Sequence, residues 1–240
     1  MTQSINKLFV LDFDGTILDS TGAWSNVYKH YCNDNEFTFL TELSLNKNKL
    51  PFIEWLTAIR TTHNLNETNK SLLASFNNIA VEVYKNLLPK LGFVEFIKQK
   101  KNSKSTVIII SREESCLIKS WLKYHQIESI LDVSQDLYQN RKTPDFYSNI
   151  SNIHDCNIQD VTVIDDSLSH CTAAKQAGVY VVGMNDNHTH DRQNKMRLAC
   201  NLYIDDFIPL FIVRLMEFDI QQKLSRKICM EQAILMINEV

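Results

Sequence analysis

Short apolar runs that stop abruptly at acidic or hydroxyl residues set the strongest constraint on this chain. They are Leu8–Leu11, Thr106–Ile110, Val161–Ile164, Val179–Val182 and, more weakly patterned, Leu202–Ile204. Runs this short and this continuously apolar predict parallel strands buried on both faces. Helix-length stretches separate them, near 92–101, 113–125, 145–153, 168–177 and 190–199. Strand alternating with helix predicts an α/β layered fold around a parallel sheet.

Residues 22–88 break the alternation. They hold no convincing strand but show helical periodicity around 22–32, 50–63 and 68–87, joined by polar links such as Asn46-Lys47-Asn48-Lys49. The reading is an α/β core of residues 1–17 and 89–206, with an all-helical insertion over 18–88. Pro89 and Gly92 punctuate the return to the core. Residues 207–240 read as a helical extension starting near Pro209, with Val213, Met216, Ile220, Leu224, Ile228 and Leu235 forming one apolar stripe. That stripe packs on its own domain or pairs two chains as a homodimer.

Composition narrows the function. At 240 residues and 44% hydrophobic, the chain can bury a sizeable core. Its net charge of -3 gives no whole-chain attraction for nucleic acid or anionic membrane, so any anion site must be built locally. No apolar run approaches the roughly 20 residues of a membrane span, and the N-terminus lacks a signal-peptide pattern. The six cysteines show neither C-x-x-C nor zinc-site spacing and read as reduced, mostly buried side chains. A cytoplasmic protein is expected.

The chemistry-bearing residues sit at the ends of the apolar runs. Asp12 and Asp14 follow Leu8–Leu11 and, two apart in extended backbone, point to one side while Phe13 turns into packing. Two carboxylates so close call for a cation or a shared proton. Gly15 permits a sharp turn, and Thr16 adds a hydroxyl. Asp165 and Asp166 close Val161–Ile164, and parallel strands would bring both acidic pairs to one edge. Oxygen-only ligands beside a phosphate suit Mg²⁺. The alternative is a simple helix N-cap at Asp165-Asp166. Ser111 ends the isoleucine run, and Ser111-x-x-Glu114 predicts a capping box whose helix N-terminus could receive phosphate. Arg141 and Lys142 precede a Pro144-started helix and offer a cation.

Asp12-Phe13-Asp14-Gly15-Thr16, then Ser111, Lys142 and Asp165-Asp166, resembles the four-motif signature of the haloacid dehalogenase superfamily over roughly residues 7–206. The helical insertion and Leu88-Pro89-Lys90-Leu91-Gly92-Phe93 resemble the β-phosphoglucomutase and phosphoglycolate phosphatase branch, in which such an insertion caps the active site. The resemblance implies a three-layer Rossmann-like core with a helical cap. It implies Mg²⁺-dependent hydrolysis of a small phosphorylated metabolite, with Asp12 as nucleophile and Asp14 as acid/base. It also implies a metal held by Asp12, the Asp14 carbonyl and Asp166, assisted by Asp165. Ser111 would bind a phosphoryl oxygen and Lys142 would steady the charge, with Gly15, Thr16, Arg112 and Arg141 near the substrate.

Three positions depart from the pattern. Arg141 occupies the usual lysine position, and Lys142 fits if the loop is one residue shorter. His170 stands four after Asp166, where relatives carry an acid or glycine. Arg112 after Ser111 is bulky and either binds substrate or faces solvent. Asp14 argues against true dehalogenation. A phosphomutase and a non-catalytic binding protein on the same fold are the alternatives. His188 and His190 read as a polar loop, and Lys47, Lys49 and Arg60 as solvated surface.

Overall fold

The structure, a computed structural model, describes residues 7–46, 50–128, 132–133, 142–186 and 190–211. Six strands form one parallel sheet: β1 (Leu8–Leu11), β2 (Thr106–Ile109), β3 (Asp132–Val133), β4 (Val161–Asp165), β5 (Tyr180–Met184) and β6 (Leu202–Ile204). Their spatial order is β3-β2-β1-β4-β5-β6. The chain therefore builds outward from β1 on one side, then returns to build the other side from β4. A reversal of this kind opens a crevice at the carboxyl ends of the strands flanking it.

In β1, β2, β4 and β5 successive buried side chains divide between two clusters. Leu11, Val107, Ile109, Ile164 and Val182 belong to one cluster. Leu8, Val10, Ile108, Ile110, Val161, Val163 and Val181 belong to the other. On the first face lie α5 (Phe93–Asn102) and α6 (Ser115–Tyr124), through Phe93, Phe96, Leu117 and Trp121. The second face carries α7 (Pro144–Ile153), α8 (Leu168–Gln176) and α9 (His190–Ala199), through Phe146, Tyr147, Ala174 and Met196. Helix, sheet and helix make the three expected layers.

Between β1 and α5 the described elements are helices: α1 (Ala23–Asp34), α2 (Thr41–Asn46), α3 (Phe52–Thr62) and α4 (Asn69–Lys85). The short α2 was absent from the sequence reading because a single polar-flanked turn and a half shows no periodicity. β3, with two residues, was likewise below that threshold. The insertion is held by aromatic packing. Tyr28, Trp55, Phe76 and Tyr84 are fully buried, and Trp55 Nε1 donates to the Leu43 carbonyl at 2.7 Å. This core is continuous with the first face of the sheet.

The insertion leaves and re-enters the core at one place. Leu18 forms an antiparallel bridge with Pro89, and Lys90 N donates to the Ile17 carbonyl at 2.7 Å. Helical backbone at 208–211 matches the expected start near Pro209, whereas the rest of the extension, and with it the homodimer expectation, lies outside the described residues. Arg141, His188, Lys47 and Lys49 also lie outside them. Cys32 and Cys171 are buried as expected, but Cys116 is exposed, because it sits on the outer face of α6. No described helix is long and apolar enough to cross a membrane.

Trp55→Ala tests the insertion core. Truncating a fully buried tryptophan is expected to cost about 3–5 kcal/mol, read from chemical unfolding. A loss below about 1 kcal/mol would contradict the packing described.

Candidate active site

The site grows from the register of two neighbouring strands. Leu11 of β1 pairs with Ile164 of β4, and Asp12 N donates to the Ile164 carbonyl at 3.0 Å. The next residues outward are therefore Asp12 on one strand and Asp165 on the other. Adjacent strands lie about 4.8 Å apart, so two carboxylates emerge side by side at the crevice. Phe13 is fully buried, as expected, which leaves Asp14 on the same side as Asp12.

Lys142 sits between the two carboxylates. Its Nζ donates to Asp12 Oδ1 at 2.7 Å and to Asp165 Oδ2 at 2.8 Å. The lysine side chain is 7% exposed, Asp12 14% and Asp165 1%, so these pairs are poorly screened by water. Local sequence fixes the lysine: Thr143 caps α7, accepting from Phe146 N at 3.3 Å, and Pro144 starts the helix. Lys142 thus precedes a rigid turn whose direction is set by the cap.

Electrostatics separates the carboxylates. Burial pushes Asp12 up to about 6, against the pull of Lys142. Burial also opposes ionisation of Asp165, but Lys142 and His170 outweigh it and hold that residue down to about 2. Asp165 accepts from Ser167 N at 2.8 Å and contacts His170 Nδ1 at 3.2 Å. Burial works against the Lys142 ammonium too, yet Asp12 and Asp165 keep its pKa above the ordinary lysine value. Asp166 is pushed up to about 9 by burial, then by Asp12 and Asp165. Three carboxylates are thus crowded around the Lys142 ammonium.

The remaining predicted residues fall as follows. Gly15 has φ +72°, and a Cβ there would lie 2.6 Å from Asp166 Oδ2, so only glycine lets this turn meet that carboxylate. Thr16 is fully buried and donates to Asp166 Oδ1 at 3.3 Å, serving the carboxylate instead of facing an incoming ligand. Ser111 is buried at the β2 tip and accepts from Glu113 N at 3.1 Å. The capping box is a correction: α6 begins at Ser115, after a turn closed by Ser111, and its N-cap residue Glu114 makes no side-chain cap. Arg112 is exposed. The simple N-cap alternative for Asp165-Asp166 also fails, since Ser167 is the N-cap of α8.

Several neighbours were not singled out from the sequence. Tyr84 Oη donates to Asp14 Oδ1 at 2.9 Å, and Trp24 Nε1 donates to Glu113 Oε1 at 3.2 Å. Lys90 donates to the Asn185 carbonyl; burial lowers its pKa, against the pull of Asp166 and Asp186. Tyr84 lies 70 residues from Asp14 in the chain, so no local pattern pointed to it.

Among the described residues, Asp12, Asp165 and His170 bring ligand atoms within 4.8 Å of one another, a group able to hold a metal ion. Asp165 already contacts Lys142 and His170. The carboxylate oxygens of Asp12, Asp165 and neighbouring Asp166 suit a hard cation. The donor set therefore fits Mg²⁺.

A profile of haloacid dehalogenase-like hydrolases matches residues 9–184. The fold is similar to that of a HAD hydrolase, family IA, variant 3, from Entamoeba histolytica, at TM-score 0.66 and 17% identity over 84% of this chain and 93% of that one. It is similar to YfnB from Bacillus subtilis bound to magnesium, at TM-score 0.68 and 14% identity over 87% and 98%. CbbY from Rhodobacter sphaeroides in complex with phosphate gives TM-score 0.68 and 14% identity over 86% and 97%. A search of curated protein sequences finds no significant match.

Lys142→Met tests the charge balance. Asp165, held down to about 2, contributes stability that is present above its unfolded value of 3.8 and lost as pH falls toward 2. Asp12, raised to about 6, works oppositely and costs stability as pH rises from 3.8 through that value. Without the ammonium both carboxylates shift upward. The variant is expected to lose about 3–5 kcal/mol at pH 8 and clearly less at pH 5, measured by urea unfolding in metal-free buffer. An equal loss at both pH values would contradict the role given to Lys142.

Proposed function

Because this chain belongs to the haloacid dehalogenase-like hydrolase family, we propose that it is a magnesium-dependent phosphatase acting on a small phosphorylated metabolite. The observation that carries the reading is the Asp12–Lys142–Asp165 cluster at the strand tips, with Asp14 and Asp166 beside it. A buried carboxylate whose one oxygen is fixed by an ammonium is oriented for attack through the other.

In the proposed reaction Asp12 Oδ2 forms a bond to phosphorus, and the bond to the leaving oxygen breaks. Asp14 gives its proton to that oxygen as it departs. Asp14 then takes a proton from water, the resulting hydroxide attacks the aspartyl-phosphate, and the bonding pair returns to Asp12. Lys142 stays paired with Asp12 and Asp165 while negative charge gathers on the transferring group. The Ser111 hydroxyl faces the phosphoryl oxygens. Magnesium would be held by Asp12, Asp166 and the Asp14 carbonyl, with Asp165 assisting through Lys142, and would supply the positive charge that offsets repulsion between carboxylates and phosphate. The helices of residues 18–88 act as a domain that covers the crevice, excludes water and reads the leaving group.

With Mg²⁺ the purified protein is expected to hydrolyse 4-nitrophenyl phosphate, and a chelator should stop it. Asp12→Asn should lower turnover by about 10⁴-fold or more. Asp14→Asn should lower it by about 10²–10⁴-fold with alkyl phosphates. No turnover across a broad panel of phosphate esters, with folding intact, would sink the proposal in favour of a binding protein. Turnover that needs a sugar bisphosphate primer would point instead to a mutase.

A further inference from the structure

We propose that Tyr84 is the positioning residue for Asp14, fixing which carboxylate oxygen carries the proton and linking that choice to the seating of the helical insertion. This inference rests on the phosphatase reading. The tyrosine comes from the last turn of α4, the helix that leads back into the core, whereas Asp14 comes from the tip of β1. A carboxylate only accepts, so the phenol supplies the proton of the 2.9 Å bond.

Tyr84 is held too firmly for this contact to be incidental. It is fully buried, and its ring stacks on Phe13 with centroids 6.2 Å apart and planes 10° apart. Phe13 is the residue between the two aspartates, and it meets Trp121 edge-on at 5.3 Å. Trp121 Nε1 donates to the Leu87 carbonyl at 2.8 Å, tying α6 to the chain just beyond α4. Trp24 of α1, bonded to Glu113 past the β2 tip, joins the insertion to the core at a second point. The phenol therefore reports the position of α4 directly to the Asp14 carboxylate. With Oδ1 committed to Tyr84, Oδ2 is left to give and take the proton.

The consequence is specific to the step that Asp14 serves. A 4-nitrophenolate leaving group departs without a proton, whereas an alkoxide requires one. The ratio kcat/KM reports only events through the first phosphoryl transfer. Tyr84→Phe keeps the ring stack and removes the donor. It is expected to lower kcat/KM for an alkyl phosphate by about 10- to 100-fold, while that for 4-nitrophenyl phosphate stays within about 3-fold. The kcat for both should fall, because both share the water-activated second step. A merely structural tyrosine would lower kcat/KM for the two substrates equally, and that result would overturn the inference while leaving the phosphatase reading intact. An inactive wild type would overturn both. If Tyr84→Phe does not fold, the wild-type crystal structure with Mg²⁺ and vanadate decides. Tyr84 should remain bonded to Asp14 Oδ1, with Oδ2 facing the apical oxygen. An Asp14 that has turned away from Tyr84 in that complex would show the tyrosine to be a resting-state perch and overturn the inference.

Discussion

A single ammonium between two buried carboxylates organises the site. Asp12 and Asp165 are forced together by sheet register, not by mutual attraction, and adjacent parallel strands give them no way to separate. Lys142 makes that arrangement tolerable, and it is delivered by a capped, proline-started helix that cannot easily drift. Crowding by Asp12 and Asp165, after burial, also works against ionisation of Asp166. The strand tips therefore hold three carboxylates crowded close together.

The layered core explains why that crowding survives folding. Largely apolar strands dock helices on both faces, and their burial supplies the stability against which charge crowding is set. The acidic residues sit where strands end, and burial there still works against their ionisation. Gly15 shows how tightly the tip is drawn: it leaves no room for a methyl group between the turn and Asp166.

Legibility followed distance along the chain. Asp12, Asp14, Asp165 and Asp166 could be read because each lies directly at the end of an apolar run, and strand order then brings the runs together. The layers and helical insertion were legible for the same reason, since period and length suffice for elements of ten residues or more. The failures lie where the signal is shorter or more remote. Ser111-x-x-Glu114 looked like a capping box, yet the serine closes a turn and the helix starts later. Thr16 looked like a substrate hydroxyl but is consumed by Asp166. Tyr84, Trp24 and Glu113 depend on how α1 and α4 sit over the sheet, which no spacing encodes. The preference for Lys142 over Arg141 rested on loop length, and the lysine does lie between Asp12 and Asp165.

The bridge between Leu18 and Pro89, with the neighbouring Lys90–Ile17 bond, closes the helical insertion at its neck. Once two ends of a segment are pinned side by side, adding residues between them raises the ordering cost only logarithmically. Beyond the neck the insertion touches the strand tips at few points, chiefly through Tyr84 on Asp14 and Phe13 and through Trp24 on Glu113. Such a joint tolerates added length between Leu18 and Pro89, so long as α4 still returns Tyr84 to the tip of β1.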